Sequence, residues 1–347
     1  MDLKKKIIKN IKKKNKAISI NKFISLSLFE NNSYYKSKLP IGSYGDFITS
    51  PEISQMFGEI IGAYILNYWT KYIGSKFNLI ELGPGKGTLM EDILRVTKLD
   101  DRFIKLANIK LIEKNRNLIE LQKNKIKLLK IKNAKWLSDF KIDTKLPSII
   151  YSNEFFDCLP VRLFHKQKSW KEKTVDFNQK DKIFFLKDEK VRERKIIEYL
   201  EINNHSKIAE ISFDRIKYFN KICNFIYKNK GLIITIDYGY EKPLKNFTLQ
   251  SVYSHKKTHI FDNIGQQDIS SYVNFRELID IAKKNNLKIL SLTNQKDFLI
   301  SHGIIERKKI LMKNLPNKKK VIIENQFNRL TKNDKMGRDF KFLIISS

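Results

Sequence analysis

One stretch of the sequence is the most informative about the fold: Phe77-Asn78-Leu79-Ile80-Glu81-Leu82-Gly83-Pro84-Gly85-Lys86-Gly87-Thr88. The short apolar run at its start predicts a buried strand, and the residues from Thr88 to about Lys98 predict a helix. Between them, three alternate glycines let the backbone pass close to a ligand and adopt conformations that other residues avoid. A strand, a glycine-rich turn and a helix in this order indicate a ligand site at the carboxyl end of a strand in an open α/β sheet.

The spacing of these glycines narrows the choice of ligand. The pattern is G-x-G-x-G, whereas dinucleotide-binding turns read G-x-G-x-x-G and a Walker A loop needs Ser or Thr after Gly-Lys. Gly87 follows Lys86 here, which disfavours a phosphate-binding loop and a nicotinamide dehydrogenase. The acidic Glu81 before the glycines suits a cationic or amino-bearing ligand, and S-adenosylmethionine fits that description. A glycine-rich turn without any ligand is the alternative.

Further short apolar runs alternate with helical segments along the chain. Three of them cover Ile109–Ile112, Ser148–Ser152 and Leu232–Ile236, and a last strand is predicted over Phe340–Ile345. Strands that alternate with helices indicate a mostly parallel sheet. We therefore expect an α/β fold class, with a Rossmann-like sheet, a helical N-terminal segment and an inserted α+β subdomain.

The chain divides into four predicted segments. Residues 1–75 form a helical N-terminal lid, 76–161 the first part of the sheet domain, 162–230 an insertion with its own small sheet, and 231–347 the remainder of the sheet domain. Within the first segment we expect helices over 1–15 and Asn21–Phe29 and a loop over Asn31–Phe47. Ser50 is the predicted N-cap of a longer helix that runs to about Tyr72.

The composition is strongly basic. There are 68 Lys and Arg against 37 Asp and Glu, which gives a formal charge of +31 on 347 residues. Such an excess is compatible with a nucleic-acid partner or an anionic membrane. Most of the excess is Lys, and it is scattered over every segment, which favours a compositional bias over a dedicated binding surface. We therefore expect no nucleic-acid partner.

Several other classes of protein are disfavoured. The two cysteines cannot form a disulfide framework and fit a reducing compartment. No apolar run approaches the ~20 residues that span a bilayer, so we expect no transmembrane segment. The histidines are too scattered for a metal site, and no G-x-S-x-G elbow supports a serine nucleophile.

Polar residues follow the other predicted strands as well. Glu113 ends the second strand, where a carboxylate can accept hydrogen bonds from ribose hydroxyls. Asn153-Glu154-Phe155-Phe156-Asp157 follows the third strand, and its carboxylates can orient a guanidinium while its rings wall a pocket. Asp237-Tyr238-Gly239 follows the fourth strand. The alternatives are a solvated Glu113, an Asp157 that caps the next helix beside core phenylalanines, and a plain turn after the fourth strand.

Several segments together resemble one family. The most specific is Gly45-Asp46-Phe47-Ile48-Thr49-Ser50-Pro51-Glu52-Ile53-Ser54-Gln55-Met56-Phe57-Gly58-Glu59. The others are Glu81 to Met90, Asn153 to Pro160, Ile236-Asp237-Tyr238-Gly239, Thr248-Leu249-Gln250, Asp297-Phe298-Leu299 and Met336-Gly337-x-x-Phe340-Lys341. This set looks like the MidA-type S-adenosylmethionine-dependent methyltransferases. That family includes mitochondrial enzymes that assist the assembly of respiratory complex I by methylating an arginine in a core subunit. The sequence departs from the family pattern at Ser43-Tyr44, Val273-Asn274-Phe275 and Asn294, which bear on the substrate more than on the cofactor.

The resemblance implies methyl transfer from S-adenosylmethionine to an arginine nitrogen of a partner protein. It implies that the amino-acid part of the cofactor is held by Glu81, Gly83, Pro84, Gly85, Gly87 and Thr88, the ribose by Glu113 and the adenine edge by Asp139. Glu154 and Asp157 would orient the guanidinium, with Asn153 accepting a hydrogen bond from the same group. A lid and substrate region would include Asp46, Thr49, Ser50, Glu52, Gln55, Asp237 and Tyr238.

Two other functions stay open on the sequence alone. An RNA methyltransferase uses the same fold, although the N-P-P-Y signature of base methylation is absent after Ser152. A non-catalytic assembly chaperone is the second alternative, and the intact glycines argue against it. The chain begins directly at the first helix of the family without a leader, which favours a bacterial cytoplasmic enzyme.

Overall fold

The computed structural model describes residues 3–14, 16–31, 33–37, 48–203 and 207–347, and it divides into two compact units. The first unit contains residues 1–47, 156–218 and 240–276, as far as they are described. The second unit contains residues 48–155, 219–239 and 277–347. The four segments predicted above divide the chain by sequence, whereas these two units divide it by contacts in space. The four segments therefore stay a prediction.

The described residues form helices in both units. In chain order they are α1 (Leu3–Lys14), α2 (Ile20–Phe29), α3 (Tyr34–Ser37), α4 (Ser50–Ile53), α5 (Gln55–Tyr72), α6 (Thr88–Thr97), α7 (Asp101–Leu106), α8 (Arg116–Leu128), α9 (Arg194–Asn203), α10 (Phe213–Asn229), α11 (Phe275–Lys284), α12 (Gln295–Ser301), α13 (Ile304–Met312), α14 (Asn317–Thr331) and α15 (Met336–Asp339). Within the described ranges, no helix is both long and apolar enough to cross a bilayer.

The strands alternate with these helices in the second unit and follow one another more closely in the first. They are β1 (Ile18–Ser19), β2 (Phe77–Leu82), β3 (Ala107–Ile112), β4 (Ala134–Leu137), β5 (Ser148–Asn153), β6 (Arg162–Lys166), β7 (Trp170–Asn178), β8 (Ile183–Lys190), β9 (Ile208–Ile211), β10 (Gly231–Tyr240), β11 (Gln250–Tyr253), β12 (Lys256–Thr258), β13 (Asp268–Ser270), β14 (Val273–Asn274), β15 (Lys288–Asn294) and β16 (Phe340–Ser346).

The second unit is built on a parallel-rich sheet with the order β15-β16-β10-β5-β2-β3-β4. The five strands from β10 to β4 pair in parallel, and β16 pairs antiparallel with both β10 and β15. Buried apolar side chains of the central strands, such as Leu79, Ile149 and Ile234, form one core with α5 and α6. The sequence-based α/β class, with a mostly parallel sheet, is therefore confirmed.

Two glycines of α5 allow this helix to approach α6 closely. A Cβ atom at Gly58 would lie 2.5 Å from the Cβ of Asp92, and one at Gly62 would lie 3.0 Å from the Cα of Ile93. Real Cβ atoms essentially never come as close as the first of these distances. The backbone of α5 thus lies directly against the Asp92 side chain and the Ile93 backbone of α6.

The first unit contains antiparallel sheets. One has the order β1-β7-β6-β9, with β8 also paired to β7, and another has the order β12-β11-β13. Ile7 and Ile11 of the lysine-rich α1 are buried in a core with Phe23, Leu163 and Val175. The predicted small sheet of the insertion is therefore present, and the N-terminal strand β1 joins it.

Three details differ from the sequence-based expectations. The N-cap before the helix at Ser50 is Thr49, and this helix stops after Ile53 because Ser54 is extended and caps α5 instead, its Oγ accepting from the Met56 amide. The predicted loop Asn31–Phe47 contains the short helix α3, and 38–47 lie outside the described residues. The fourth strand, predicted to end at Ile236, continues as β10 to Tyr240, and its pairing with β16 runs through Asp237 to Tyr238.

Candidate active site

The glycine-rich turn joins β2 to α6 through left-handed backbone conformations. Gly83, Gly85 and Gly87 have φ angles of 62°, 54° and 78°, a region that side chains disfavour. The Gly87 amide donates to the Pro84 carbonyl at 2.7 Å. A Cβ atom at Gly83 would lie 2.8 Å from the ring of Phe155. The turn therefore has its shape only because these positions carry no side chain.

Gln122 of α8 holds the middle of this turn. Its Nε2 donates to the Gly85 carbonyl at 2.7 Å, and its Oε1 accepts from the Trp136 indole at 2.8 Å. A Cβ atom at Gly87 would lie 3.0 Å from the Cγ of the same glutamine. This residue could not be predicted from the sequence, because an isolated Gln in a helix belongs to no motif.

Glu81 is almost fully buried at the end of β2, with 2% of its surface exposed. Burial raises the pKa of its carboxyl group to about 8, because a low-dielectric surrounding disfavours the charged form. The Tyr151 hydroxyl, 3.4 Å from its Oε2, opposes this rise. A buried carboxyl group next to a glycine turn can receive a positively charged ligand group.

Glu113 and Asp139 follow the next two strands of the sheet. One oxygen of Glu113 accepts from the amides of Lys114 at 2.7 Å and Asn115 at 2.8 Å. Burial raises the pKa of Glu113, and these main-chain donors oppose the rise. Asp139 is half-buried after β4 and accepts from the Phe140 amide at 2.8 Å. Both carboxylates lie beyond strand ends, which the sequence predicted for Glu113 but not for Asp139.

Asn153 and Glu154 lie at the end of β5 and form a small group of acceptors. The Asn153 Nδ2 donates to the Glu154 Oε1 at 3.1 Å, which fixes the orientation of the amide. The Asn153 Oδ1 is buried, and no described residue donates a hydrogen bond to it. Glu154 has a left-handed φ of 51°, and its amide donates to the Ile236 carbonyl at 2.9 Å. The strained turn at Glu154 is thus tied to the neighbouring strand.

The remaining predicted residues near the third and fourth strand ends divide between the units. Asp237 is fully buried in β10 and accepts from the Tyr238 amide at 3.0 Å. Asp157 belongs to the first unit, where it is also buried and its carbonyl accepts from the Ser271 amide at 3.1 Å. In that unit the buried Arg215 donates to the Phe156 carbonyl at 3.0 Å. The turn carrying Asp157 is therefore held by main-chain and arginine hydrogen bonds.

Two of the predicted lid residues make defined side-chain contacts in the second unit. Glu52 of α4 accepts from the Thr88 hydroxyl at the start of α6, and its other oxygen lies 3.6 Å from the Lys86 Nζ. Ser50 is buried, and its hydroxyl donates to the Gln295 side chain at 3.1 Å. Glu52 is thus linked to the glycine turn, whereas Ser50 is held by α12.

The other predicted lid residues are characterised by their position and burial. Thr49 is buried at the N-cap position of α4, and Gln55 is exposed at the start of α5. Asp46 lies outside the described residues. A cleft of about 430 Å³ borders this region, lined by α4, Thr88, Lys125 and the helices α13 and α14. Lys125 donates to both the Thr88 hydroxyl and Glu91 at 2.8 Å, so it fixes the wall of that cleft.

The sheet register brings the strand ends of the second unit to one edge. Leu82 pairs with Ile112 and with Ser152, and Ile112 pairs with Leu137. Ile236 pairs with Asn153. Because these strands are parallel, the polar residues that follow them all lie beyond the same carboxyl edge.

Comparison with known proteins identifies the family of this chain. The family model described as "Putative S-adenosyl-L-methionine-dependent methyltransferase" matches residues 60–293. Relatives from Mus musculus and Homo sapiens, both named "Protein arginine methyltransferase NDUFAF7, mitochondrial", are 30% identical over 339 and 340 residues. These matches cover 90% of this chain and 77% and 76% of the relatives. The chain belongs to this methyltransferase family.

Two crystal structures from Burkholderia thailandensis share the fold. A superfamily member bound to S-adenosyl-homocysteine has a TM-score of 0.86 at 19% identity, covering 99% of this chain and 92% of that chain. A native structure has a TM-score of 0.83 at 20% identity, covering 99% and 91%. The resemblance drawn from the motifs and the Rossmann-like fold are therefore confirmed, and the protein is an S-adenosylmethionine-dependent methyltransferase.

The residues at the carboxyl edge fit this cofactor. The turn from Gly83 to Gly87 forms a cradle that side chains would fill, and the carboxyl groups of Glu81 and Glu113 flank it on adjacent strands. Acidic groups suit a ligand with an ammonium, a sulfonium and ribose hydroxyls. Within the described residues, no cluster of three His, Cys, Asp or Glu side chains is placed to hold a metal ion. The role of each individual site residue stays a prediction.

Proposed function

We propose that this methyltransferase methylates an arginine side chain of a partner protein. The observation that carries the proposal is the buried Asn153 Oδ1, which has no donor among the described residues and lies beside the Glu154 carboxylate. A buried acceptor without a partner costs about 1–3 kcal/mol, so a bound donor would stabilise it. A guanidinium carries five N–H donors in a rigid plane and a positive charge.

The geometry at the end of β5 supports this acceptor chemistry. The side-chain amide of Asn153 already donates to one oxygen of Glu154. The pair therefore presents a neutral acceptor, the Asn153 Oδ1, beside a charged one, the Glu154 carboxylate. Glu154 would orient the guanidinium and offset its charge, and Asn153 would accept from a second N–H. The role of Asp157 in orienting the guanidinium stays a prediction from the sequence. Holding the reacting nitrogen in one orientation is a large part of what an enzyme contributes to group transfer.

The cofactor supplies an electrophilic methyl group on a positively charged sulfur. Glu81 and the turn Gly83-Pro84-Gly85, with Gly87 and Thr88, would hold its amino-acid part. Glu113 would accept from its ribose, and Asp139 would lie at its adenine edge. Glu52, linked to Thr88 and Lys86, would close the turn from the side of α4.

The names of the relatives support a protein acceptor. The mouse and human relatives are called protein arginine methyltransferases and mitochondrial. We propose, with the family resemblance, that the acceptor is a core subunit of respiratory complex I. The cytoplasmic location expected from the sequence also stays a prediction.

The proposal is tested by transfer of labelled methyl groups. Purified enzyme is incubated with methyl-labelled S-adenosylmethionine and a complex I core subunit, and mass spectrometry locates the label. We expect mono- or dimethylated arginine in the subunit, and no label after that arginine is changed to Lys. Label in RNA, or in no macromolecule, would contradict the proposal.

A matched pair of variants tests the site. Glu154→Gln should lower transfer by roughly 100-fold while cofactor affinity stays within about 2-fold of wild type. Glu120→Gln removes an exposed carboxylate of α8 and should leave both unchanged. If Glu154→Gln keeps full transfer, the acceptor role of this carboxylate is wrong.

A further inference from the structure

A buried tyrosine faces Glu81 across two paired strands. Tyr151 of β5 is the direct parallel neighbour of Glu81 in β2, and its side chain is fully buried. Its hydroxyl lies 3.4 Å from the Glu81 Oε2 and 3.0 Å from the Met90 Sδ of α6. Nothing in the roles proposed above uses this hydroxyl.

The single proton of this hydroxyl has two acceptors within reach. A thioether sulfur is a weak acceptor, whereas a carboxylate is a strong one. The proton therefore goes to Glu81 when that group is ionised and to Met90 when it is neutral. Burial and the nearby Glu81 raise the pKa of Tyr151 well above its usual value, so the tyrosine keeps its proton. It acts as a donor that responds to the charge of Glu81.

The other groups that face Glu81 oppose one another. Glu113, beyond β3, raises the pKa of Glu81, and Lys125 of α8 lowers it. Burial is the largest influence and raises this pKa, and the hydrogen bond from Tyr151 is the largest influence that lowers it. The hydroxyl is thus the main local support for the carboxylate form of Glu81.

We propose that Tyr151 is a positioning residue for the cofactor, because its hydroxyl donates to Glu81 and stabilises the carboxylate form that receives the cofactor's amino group. The proposal rests on the proposed role of Glu81 in binding that amino group. Without the hydroxyl, a larger share of Glu81 is protonated near neutral pH, and a neutral acid attracts an ammonium weakly. Cofactor affinity then depends on pH more strongly and over a higher range.

The test measures binding of S-adenosyl-homocysteine by calorimetry at pH values from 6.5 to about 9.5, without any turnover. Tyr151→Phe removes one oxygen and keeps the ring. The ratio of the variant Kd to the wild-type Kd cancels the titration of the ligand's own amino group. We expect this ratio to be about 3 to 10 near pH 7 and to fall towards one at the alkaline end. Proton release on binding, measured in two buffers, should be larger for the variant near pH 8.

The matched control is Tyr68→Phe. The Tyr68 hydroxyl donates to the Gly231 carbonyl at 3.1 Å, at the amino end of β10 in the same unit. Its removal should give a Kd ratio near one at every pH. A ratio for Tyr151→Phe that differs from one but does not change with pH would overturn the proposal, because lost packing alone gives that result.

A second variant separates this proposal from the one on which it rests. Glu81→Gln keeps the shape of the side chain and removes its charge. If Glu81→Gln binds as tightly as wild type, the role of Glu81 in the proposed function is wrong. If Glu81→Gln weakens binding and Tyr151→Phe does not, only the role of Tyr151 is wrong. If Tyr151→Phe does not fold, Glu81→Gln still tests the pH dependence. The Kd of Glu81→Gln divided by the wild-type Kd must then rise with pH.

Discussion

Two asparagines with buried side-chain oxygens lie at opposite edges of the same sheet, Asn78 fully buried and Asn153 half-buried. They differ in how their polar atoms are satisfied. At the amino edge, the Asn78 Nδ2 donates to the Ser148 hydroxyl at 2.9 Å, and its Oδ1 accepts from the Lys110 ammonium. At the carboxyl edge, the Asn153 Nδ2 donates to Glu154, and its Oδ1 has no donor among the described residues. Both polar atoms of the Asn78 amide have a hydrogen-bond partner within the chain, whereas only the Nδ2 of Asn153 has one among the described residues.

The difference separates stabilisation from ligand binding. Folded proteins satisfy nearly all of their buried polar atoms, so an exception calls for an explanation. The exception here lies where the parallel strands end and beside the glycine turn, whereas the satisfied amide lies where β2 begins. We therefore expect Asn78 at the amino edge to contribute stability, and we propose that Asn153 at the carboxyl edge accepts from a ligand.

The largest expected effect comes from a side chain in the glycine turn. Gly83→Val places a branched side chain at a φ of 62° and within 2.8 Å of Phe155. We expect the Kd for S-adenosylmethionine to rise by roughly 100-fold or more, an effect of about 2.7 kcal/mol. Calorimetry on the folded variant measures it.

Gly74→Val is the control for this change. Gly74 has a similar φ of 59°, but no described atom beyond its chain neighbours lies within 4 Å of its Cβ position. The left-handed strain should cost about 1–2 kcal/mol of unfolding free energy and leave the Kd unchanged. Equal losses of cofactor affinity in both variants would show that the turn has no special role.

The next effect compares the two asparagines directly. Asn153→Ala removes an acceptor that lacks a donor, so the free energy of unfolding should stay within about 1 kcal/mol of wild type. Methyl transfer should fall by roughly 10- to 100-fold, because the arginine that receives the methyl group loses a hydrogen bond. Asn78→Ala should show the reverse, with a loss of about 1–3 kcal/mol in stability and unchanged turnover per folded molecule. Denaturant titration and transfer assays measure both, and a large stability loss in Asn153→Ala would refute the contrast.

A smaller effect is expected from the residue that holds the turn. Gln122→Ala removes the donor to the Gly85 carbonyl and the acceptor of the Trp136 indole. We expect the Kd for the cofactor to rise about 10-fold and the unfolding free energy to fall by about 1–3 kcal/mol. Gln179→Ala, at an exposed position of the first unit, should change neither. Unchanged cofactor affinity in Gln122→Ala would mean that the turn keeps its shape without this support.

The smallest effect concerns the link from α4 to the turn. Glu52→Gln keeps an acceptor for the Thr88 hydroxyl but removes the charge that faces Lys86. Partly exposed ion pairs contribute about 0–1 kcal/mol, so the Kd should rise by no more than about 3-fold. Glu324→Gln, which removes the partner of Lys308, should leave the Kd as it is. A loss above 10-fold in Glu52→Gln would give α4 a direct part in cofactor binding.

The sequence was informative where the signal is local. The run before Gly83, the strands that end at Glu113 and Asn153, and the helix from Thr88 could be predicted from apolar patterning and glycine spacing. These elements also placed most of the candidate site at one edge, because parallel strands end together.

What the sequence could not show depends on residues far apart in the chain. Asp237 was predicted to follow the fourth strand, since nothing near it reveals that β16 extends the strand by pairing with it. Tyr151 and Gln122 carry no motif, and their hydrogen bonds to Glu81 and Gly85 join residues 70 and 37 positions apart. That the Asn153 Oδ1 has no donor among the described residues could likewise not be predicted from the sequence.

The interleaving of the two units has a consequence for how the chain folds. Each unit is assembled from three separated stretches, so a cut anywhere between residues 48 and 276 leaves no fragment that contains either unit complete. Leu232 pairs with Ser346, which lies 114 residues later, and pairings at such separation slow folding because a long loop must close first. Until β16 arrives, one edge of β10 stays open to wrong partners. We therefore expect slow refolding and a need for protection against aggregation during synthesis, with stopped-flow refolding at low protein concentration as the direct measurement.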